Sequence, residues 1–249
     1  MDGRESRRWG KNGLWGGESF MKLGRMVIVI DGPAGSGKST VSKLVAQKLG
    51  YHYLDTGALY RAVAYMLIRA DIRDDDQDNF KKILAAAEIS YEKSPAGMLV
   101  RINGEDVTAH LRNEEVSLQA SRISALPVVR EKLLPVQRAA GRDGGIVAEG
   151  RDMATVVFPV AEVKIFLDAD ENERIKRRHA ELAARDGKSD YALIAEGLRR
   201  RDHQDRTRTV APLKPHEDAV HIDTTRMSID EVVEAVLAVI NRHPSREFS

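Results

Sequence analysis

At 249 residues and 42% hydrophobic side chains, the chain suits one sizeable domain, or a domain carrying an insert, with a packed core. Its 39 basic residues nearly balance 38 acidic ones, which excludes a global field drawing it to nucleic acid or a membrane surface, and the absence of cysteine excludes disulfides and thiolate metal sites. The longest apolar runs fall far short of the about 20 residues needed to span a bilayer.

Residues 1–25 combine Arg4, Arg7, Arg8 and Lys11 with several glycines and lack the apolar core of a secretory signal. They read as a disordered N-terminal extension, with Met21 and Met26 as alternative starts. The run Val27-Ile28-Val29-Ile30 reads as a first buried strand. It leads into Gly32-Pro33-Ala34-Gly35-Ser36-Gly37-Lys38-Ser39-Thr40, and helical periodicity follows, which is the setting of a phosphate-binding P-loop. Glycines let backbone N–H groups wrap a triphosphate, Lys38 reaches the outer phosphates, and Ser39 offers its hydroxyl to Mg²⁺ at a helix N-terminus whose dipole favours an anion. The pattern reads as a nucleoside triphosphate site and leaves switch, motor, transporter and kinase open.

Val41, Leu44, Val45 and Leu49 predict a helix that stops at Gly50. A short strand follows over Tyr51–Leu54, and Asp55 or Thr56 is placed to cap a helix burying Leu59, Val63, Met66 and Leu67. Asp74-Asp75-Asp76 reads as a solvated loop. From Glu88 to His110 the texture becomes strand-like, with Asn103-Gly104 as a hairpin signal, so a small antiparallel insert is expected. Helices are expected from Asn113 to Ala125 and from Pro127 to Ala140, the second kinked or broken at Pro135, which cannot donate to Glu131. Strands at Ile146–Glu149, Val163–Leu167 and Val220–Ile222 bring the number to five, short and apolar as buried parallel strands are. Ser228 and Glu231 form a capping box ahead of a last helix. The expected fold is α/β, a five-stranded parallel sheet with crossover helices and a ligand crevice at the carboxyl ends of the strands. Asp168 closes a strand and reads as a helix cap or loop residue in preference to a Mg²⁺ ligand. The seven histidines show no metal spacing.

Arginines recur near the predicted strand ends and helix faces: Arg61, Arg130, Arg151, Arg174, Arg177, Arg178, Arg201, Arg206 and Arg208. Transfer of a phosphoryl group between two anions needs many fixed cations. For Arg174, Arg199 and Arg200 a solvated charged face is an equal reading. Asp152 beside Arg151 also reads as a surface ion pair, and Arg201, Asp205 and Arg208 as a charged helix face.

At Leu54-Asp55-Thr56-Gly57-Ala58-Leu59-Tyr60-Arg61 the chain begins to resemble the bacterial cytidylate (CMP) kinases, P-loop nucleoside monophosphate (NMP) kinases. Ser121 through Arg130 resembles that family's nucleobase segment. Gly150-Arg151-Asp152-Met153 with Thr155-Val156-Val157-Phe158-Pro159, and Arg201 through Leu213, resemble two further signatures, and the likeness runs from about Val27 to Ile240. It implies a kinase domain over 26–249, an NMP-binding insert at about 83–119 and a mobile lid at about 174–189. It also implies the reaction of ATP with CMP or dCMP, requiring Mg²⁺. By the resemblance, Lys38 and the loop amides hold ATP, while Arg61, Arg151 and Arg208 grip the acceptor phosphate. Ser121, Arg130 and Asp152 read cytosine, Arg201 and Asp205 contact the ribose, Thr56 touches substrate, and Arg177 and Arg178 close over the transferring phosphate. Ala154 stands where the family carries glycine, and Gln204 and His203 where relatives carry charge. A cytoplasmic monomer without nucleic-acid or membrane partners is expected. The other readings are a nucleotide-dependent switch binding RNA or protein through Arg199–Arg208, and a kinase of the shikimate type.

Overall fold

The computed structural model describes residues 25–72, 76–94, 97–187 and 190–244. The expectations for residues 1–24 and for Asp74 and Asp75 lie outside them. Five strands, β1 (Val27–Asp31), β2 (His52–Asp55), β6 (Ile146–Gly150), β7 (Val163–Asp168) and β8 (Val220–Asp223), form one parallel sheet in the order β2-β6-β1-β7-β8. Strand β1 lies at its centre because its alternate residues are buried on both faces. Ile28 and Ile30 pack with Val45, Val236 and Ile240 of α1 (Lys38–Leu49) and α8 (Ile229–Asn241). Val29 faces the other side, with Leu54, Ala148 and Phe158. A run without polar alternation can be buried only in this way.

The chain leaves β1 for the edge strand β2 and returns to β6 next to β1, so the order reverses there and a crevice opens at the carboxyl ends. Between β2 and β6 lie α2 (Thr56–Arg69), α3 (Gln77–Ala86), strands β3 (Ile89–Ser94), β4 (Gly97–Ile102) and β5 (Glu105–Asp106), α4 (Glu114–Ile123) and α5 (Pro127–Ala140). The three short strands pair antiparallel, as the hairpin signal predicts. Leu59, Val63, Leu67, Val100, Ile123 and Leu133 form a second core under this insertion. After β7 come α6 (Glu171–Asp186) and α7 (Tyr191–Thr207).

The expected caps are present: Asp55 accepts from Ala58 N at 2.9 Å, and Ser228 and Glu231 exchange hydrogen bonds. Of the expected kink or break at Pro135, the break does not occur: helix α5 runs on through it. Pro135 and Glu131 are both exposed, so water reaches the carbonyl that loses its donor, and the buried face through Val129, Leu133 and Gln137 holds the helix together. Asp170, not Asp168, caps α6 by accepting from Asn172 N and Glu173 N. Asp168 keeps the loop role, accepting from Ala169 N at 2.9 Å. No helix among the described residues is long and apolar enough to cross a membrane.

Candidate active site

The P-loop joins β1 to α1, and its glycines are required by close approach. A Cβ on Gly32 would stand 2.1 Å from the Leu167 carbonyl oxygen, and one on Gly35, at φ 76°, 2.8 Å from that of Arg174. Lys38, at 7% exposed, folds back to donate to the Pro33 carbonyl at 3.0 Å. Burial lowers its pKa to about 7, helped by the positive Arg151 and Arg201 and opposed by Glu149. An ammonium held so far below its ordinary range is poised for a polyanion to restore its charge.

Glu149, near the end of β6, was not anticipated as a site residue. Its Oε2 accepts from Ser39 Oγ at 2.9 Å and its Oε1 from Tyr53 Oη, and burial, reinforced by Asp55, pushes its carboxyl up. Ser39 and Glu149 thus supply a hydroxyl and a carboxylate, the hard oxygen donors that suit Mg²⁺ beside a triphosphate. The signal was an acid ending a strand adjacent to the P-loop strand. Thr56 donates its hydroxyl to the Glu149 carbonyl oxygen at 2.7 Å, which leaves the lone pairs of that hydroxyl for a ligand.

The other sequence candidates, except Arg174 and Arg206, line the same cleft of about 930 Å³, together with P-loop residues Ala34–Thr40 but not Gly32 or Pro33. Asp205, 3% exposed, accepts from Arg151 Nε at 2.8 Å and lies 3.5 Å from Arg208 Nη1. Burial works against its charge, yet Arg151, Arg201 and Arg208 outweigh burial and hold the carboxyl below its usual range. Arg130 pairs with Asp152, stacks over the Tyr60 ring at 5.6 Å and donates to the Ser124 carbonyl at 3.1 Å. Arg208 donates to Ser124 Oγ at 3.1 Å and stands 4.0 Å from Asp152. Burial pushes the Asp152 carboxyl up against the pull of these two guanidiniums. Gln204 spans α7 to α4, donating to the Ser121 carbonyl at 2.7 Å, with Ser121 Oγ 3.4 Å from its Oε1. The neutral residue at that position is therefore a strut for Ser121.

Three buried guanidinium nitrogens, Arg61 Nε, Arg201 Nε and Arg208 Nη2, have no hydrogen-bond acceptor among the described residues. Burial, with Arg151 nearby, lowers Arg201 to about 10. The guanidinium of Arg61 meets Asp55 at 2.7 Å and that of Arg208 meets Asp205, so these nitrogens are spare donors on already paired cations, at a cost that an acceptor in the cleft would remove.

The two arginines expected to close over the phosphate are held by protein. Arg177 donates to Thr224 Oγ1 at 2.9 Å and its carbonyl at 2.7 Å, while Arg178 meets Glu181 at 3.0 Å and Glu114 at 3.2 Å. Phosphate oxygens would have to replace those partners. Arg174, expected with equal weight on a solvated face, is instead 4% exposed, pairing with Asp202 and donating to the Ala34 carbonyl at 3.0 Å. Asp202, Asp205 and Arg208 are buried, which leaves Arg199, Arg200 and Arg206 as the exposed arginines of this segment. Ala154 is absent from the non-glycine residues of positive φ among those described, so its methyl imposes no strain.

The sequence model described as "Cytidylate kinase" matches residues 28–242. Curated cytidylate kinases resemble the chain over most of both lengths. That of Geobacillus sp. (strain WCH70) is 48% identical over 86% of this chain and 96% of its own. That of Aeromonas hydrophila is 46% identical over 85% and 92%, and that of Carboxydothermus hydrogenoformans 43% over 87% and 98%. A solved shikimate kinase from Acinetobacter baumannii superposes with a TM-score of 0.44 at 14% identity, over 91% of this chain and 98% of that one, too loose a likeness to bear on the acceptor.

Proposed function

This chain belongs to the cytidylate kinase family, and from that premise we propose that it moves the γ-phosphoryl group of MgATP to CMP or dCMP, releasing ADP and CDP or dCDP. One observation carries the reading: a single cleft holds a P-loop, three buried guanidinium nitrogens lacking acceptors, and the Arg130–Asp152 pair.

The P-loop amides and Lys38 hold the donor phosphates, and Lys38 recovers its charge against them. Arg61, Arg151 and Arg208 hold the acceptor phosphate, and Arg201 with Asp205 the ribose. Asp152 accepts from the exocyclic amine of cytosine, with Arg130 and Ser121 meeting the ring acceptors; uracil would set a carbonyl oxygen against the Asp152 carboxylate. Charge on the equatorial oxygens of the transferring group meets Lys38 and Arg151 within the cleft, with Arg177 and Arg178 exchanging their protein partners for it as α6 closes. Ser39 and Glu149 would hold Mg²⁺, which when bound neutralises phosphate charge. The protein works as a monomer, in the cytoplasm, in pyrimidine nucleotide metabolism.

The test is an ADP-release assay with MgATP against CMP, dCMP, UMP, AMP, GMP and shikimate, with Lys38→Ala as blank. Turnover confined to CMP and dCMP is expected; turnover with another acceptor discards the roles given to Ser121, Arg130 and Asp152.

A further inference from the structure

Asp31 is the last residue of β1, 2% exposed, and opposite Gly150 of β6 and Phe166 of β7. Its oxygens accept from two consecutive backbone groups: Oδ1 from Met153 N at 2.9 Å and Oδ2 from Ala154 N at 2.8 Å. Those N–H groups open a π-helical turn, Met153–Val157, whose first amides have no partner within the turn. Turns of this kind are rare and gather at functional sites. The turn follows directly on Arg151 and Asp152, while β1 runs on into Gly32 and the P-loop. One side chain therefore ties the root of the P-loop to the segment carrying two acceptor-site residues.

Packing alone does not account for a carboxylate here. Burial raises its pKa to about 7, the two N–H bonds and the nearby Arg151 oppose that, and the negative Asp152 adds to the cost. What ionised Asp31 supplies, and a neutral side chain of the same shape does not, is an acceptor for each amide.

We propose that Asp31 is a positioning residue for the acceptor site: by clamping the amides of Met153 and Ala154 it sets the directions of Arg151 and Asp152, so cytosine selectivity depends on a side chain that touches neither nucleotide. The proposal rests on the roles given above to Arg151 and Asp152. It separates the two sides of the cleft, because Asp31 grips the acceptor segment with its side chain and meets the P-loop only through the chain.

The experiment compares Asp31→Asn, Asp152→Asn and the double variant. Asparagine keeps the shape but turns an amino group towards one amide. Loss of a charge-assisted hydrogen bond should raise the KM for CMP about tenfold and lower the CMP-to-UMP ratio of kcat/KM by at least about fivefold. The Kd of ADP, read by titration calorimetry, should stay within about threefold of the parent, since the P-loop amides are untouched. The double variant should be no less selective than the worse single variant, because both changes act on one contact. Equal losses in ADP and CMP binding, an unchanged ratio in Asp31→Asn, or multiplying effects in the double variant would overturn the proposal. If Asp152→Asn keeps the parental ratio, the cytosine reading itself fails, and the proposal with it; if only Asp31→Asn keeps it, the proposal fails alone. Should Asp31→Asn not fold, Asp31→Ser, smaller and still an acceptor, carries the same comparison.

Discussion

The P-loop side of the cleft is built from main chain and the proposed acceptor side from side chains. Seven of the nine P-loop residues line the cleft in one contiguous run, Ala34–Thr40. Arg61, Ser121, Arg130, Arg151, Asp152, Arg201, Asp205 and Arg208 come from α2, α4, α5, the turn after β6 and the end of α7, joined by buried ion pairs. Main-chain amides recognise any phosphate; a fixed carboxylate and guanidinium tell one base edge from another. Generality and discrimination therefore rest on different parts of the polypeptide, and changes on the two sides should fail differently.

The largest effect is expected from Lys38→Ala, with kcat/KM falling by about 10³ as a preorganised charge at the transferring phosphate is lost. The same change should not weaken the free protein. The Lys38 pKa, lowered to about 7, lies below the ordinary 10.5, so the unfolded chain binds the proton more readily between those values. Stability from this group is fully present above 10.5 and is lost as pH falls through 7. Removing the amine lifts that penalty, and the thermal midpoint at pH 6 should hold or rise. Scanning fluorimetry beside the coupled assay checks both; a lower midpoint with retained turnover contradicts the assignment.

Asp152→Ala should do the reverse. Breaking its buried pair with Arg130 strands a guanidinium, at a cost of about 3–5 kcal/mol. The preference for CMP over UMP should fall at least about tenfold, the worth of one hydrogen bond to a charged group. Parallel KM measurements with the two nucleotides and a denaturant melt decide it. A stable variant with intact preference would remove Asp152 from the base site.

The same division governs what the sequence makes legible. The P-loop is local, so its residues and its strand-and-helix flanks announce it, as do Asp55 and the Ser228–Glu231 box. Arg174 and Asp202 are 28 residues apart, and nothing nearby marks them as a buried pair. Glu149 meets Ser39 across 110 residues and Asp31 meets Ala154 across 123, contacts that exist only once β1 and β6 are neighbours. The proposed acceptor residues came from family resemblance, their ion pairs did not, and Gln204 looked like a lost charge until α7 brought it against Ser121. Pro135 left kink and break both open because sequence does not reveal which helix face meets water.

A smaller effect tests the P-loop side without mutating the acceptor side. With a pKa of about 7, Lys38 is mostly neutral at pH 8 before binding, and bound phosphates favour its charged form. ADP binding should then take up most of a proton at pH 8 and little at pH 6. Affinity should accordingly fall as pH rises above 7. Calorimetry in buffers of different ionisation enthalpy measures the uptake, and Lys38→Met supplies the baseline that subtracts the nucleotide's own titration. Equal uptake in the two proteins would move the proton to another group.

The smallest effect concerns Ala154, where the family resemblance leads one to expect glycine. If the acceptor segment needed glycine's freedom, Ala154→Gly would improve CMP binding. Ala154 does not occupy positive φ, and its amide already meets Asp31 at 2.8 Å, so the backbone is held whether or not the methyl is there. The KM for CMP should stay within about twofold, since no contact in the cleft changes. Stability should instead drop by about 0.5–1 kcal/mol, because glycine loses more freedom on folding. The midpoint would follow by about 2–4 °C per kcal/mol for a chain of this size. A shift in KM of fivefold or more with an unmoved midpoint would mean that the methyl, and not the Asp31 carboxylate, directs Arg151 and Asp152 into the cleft.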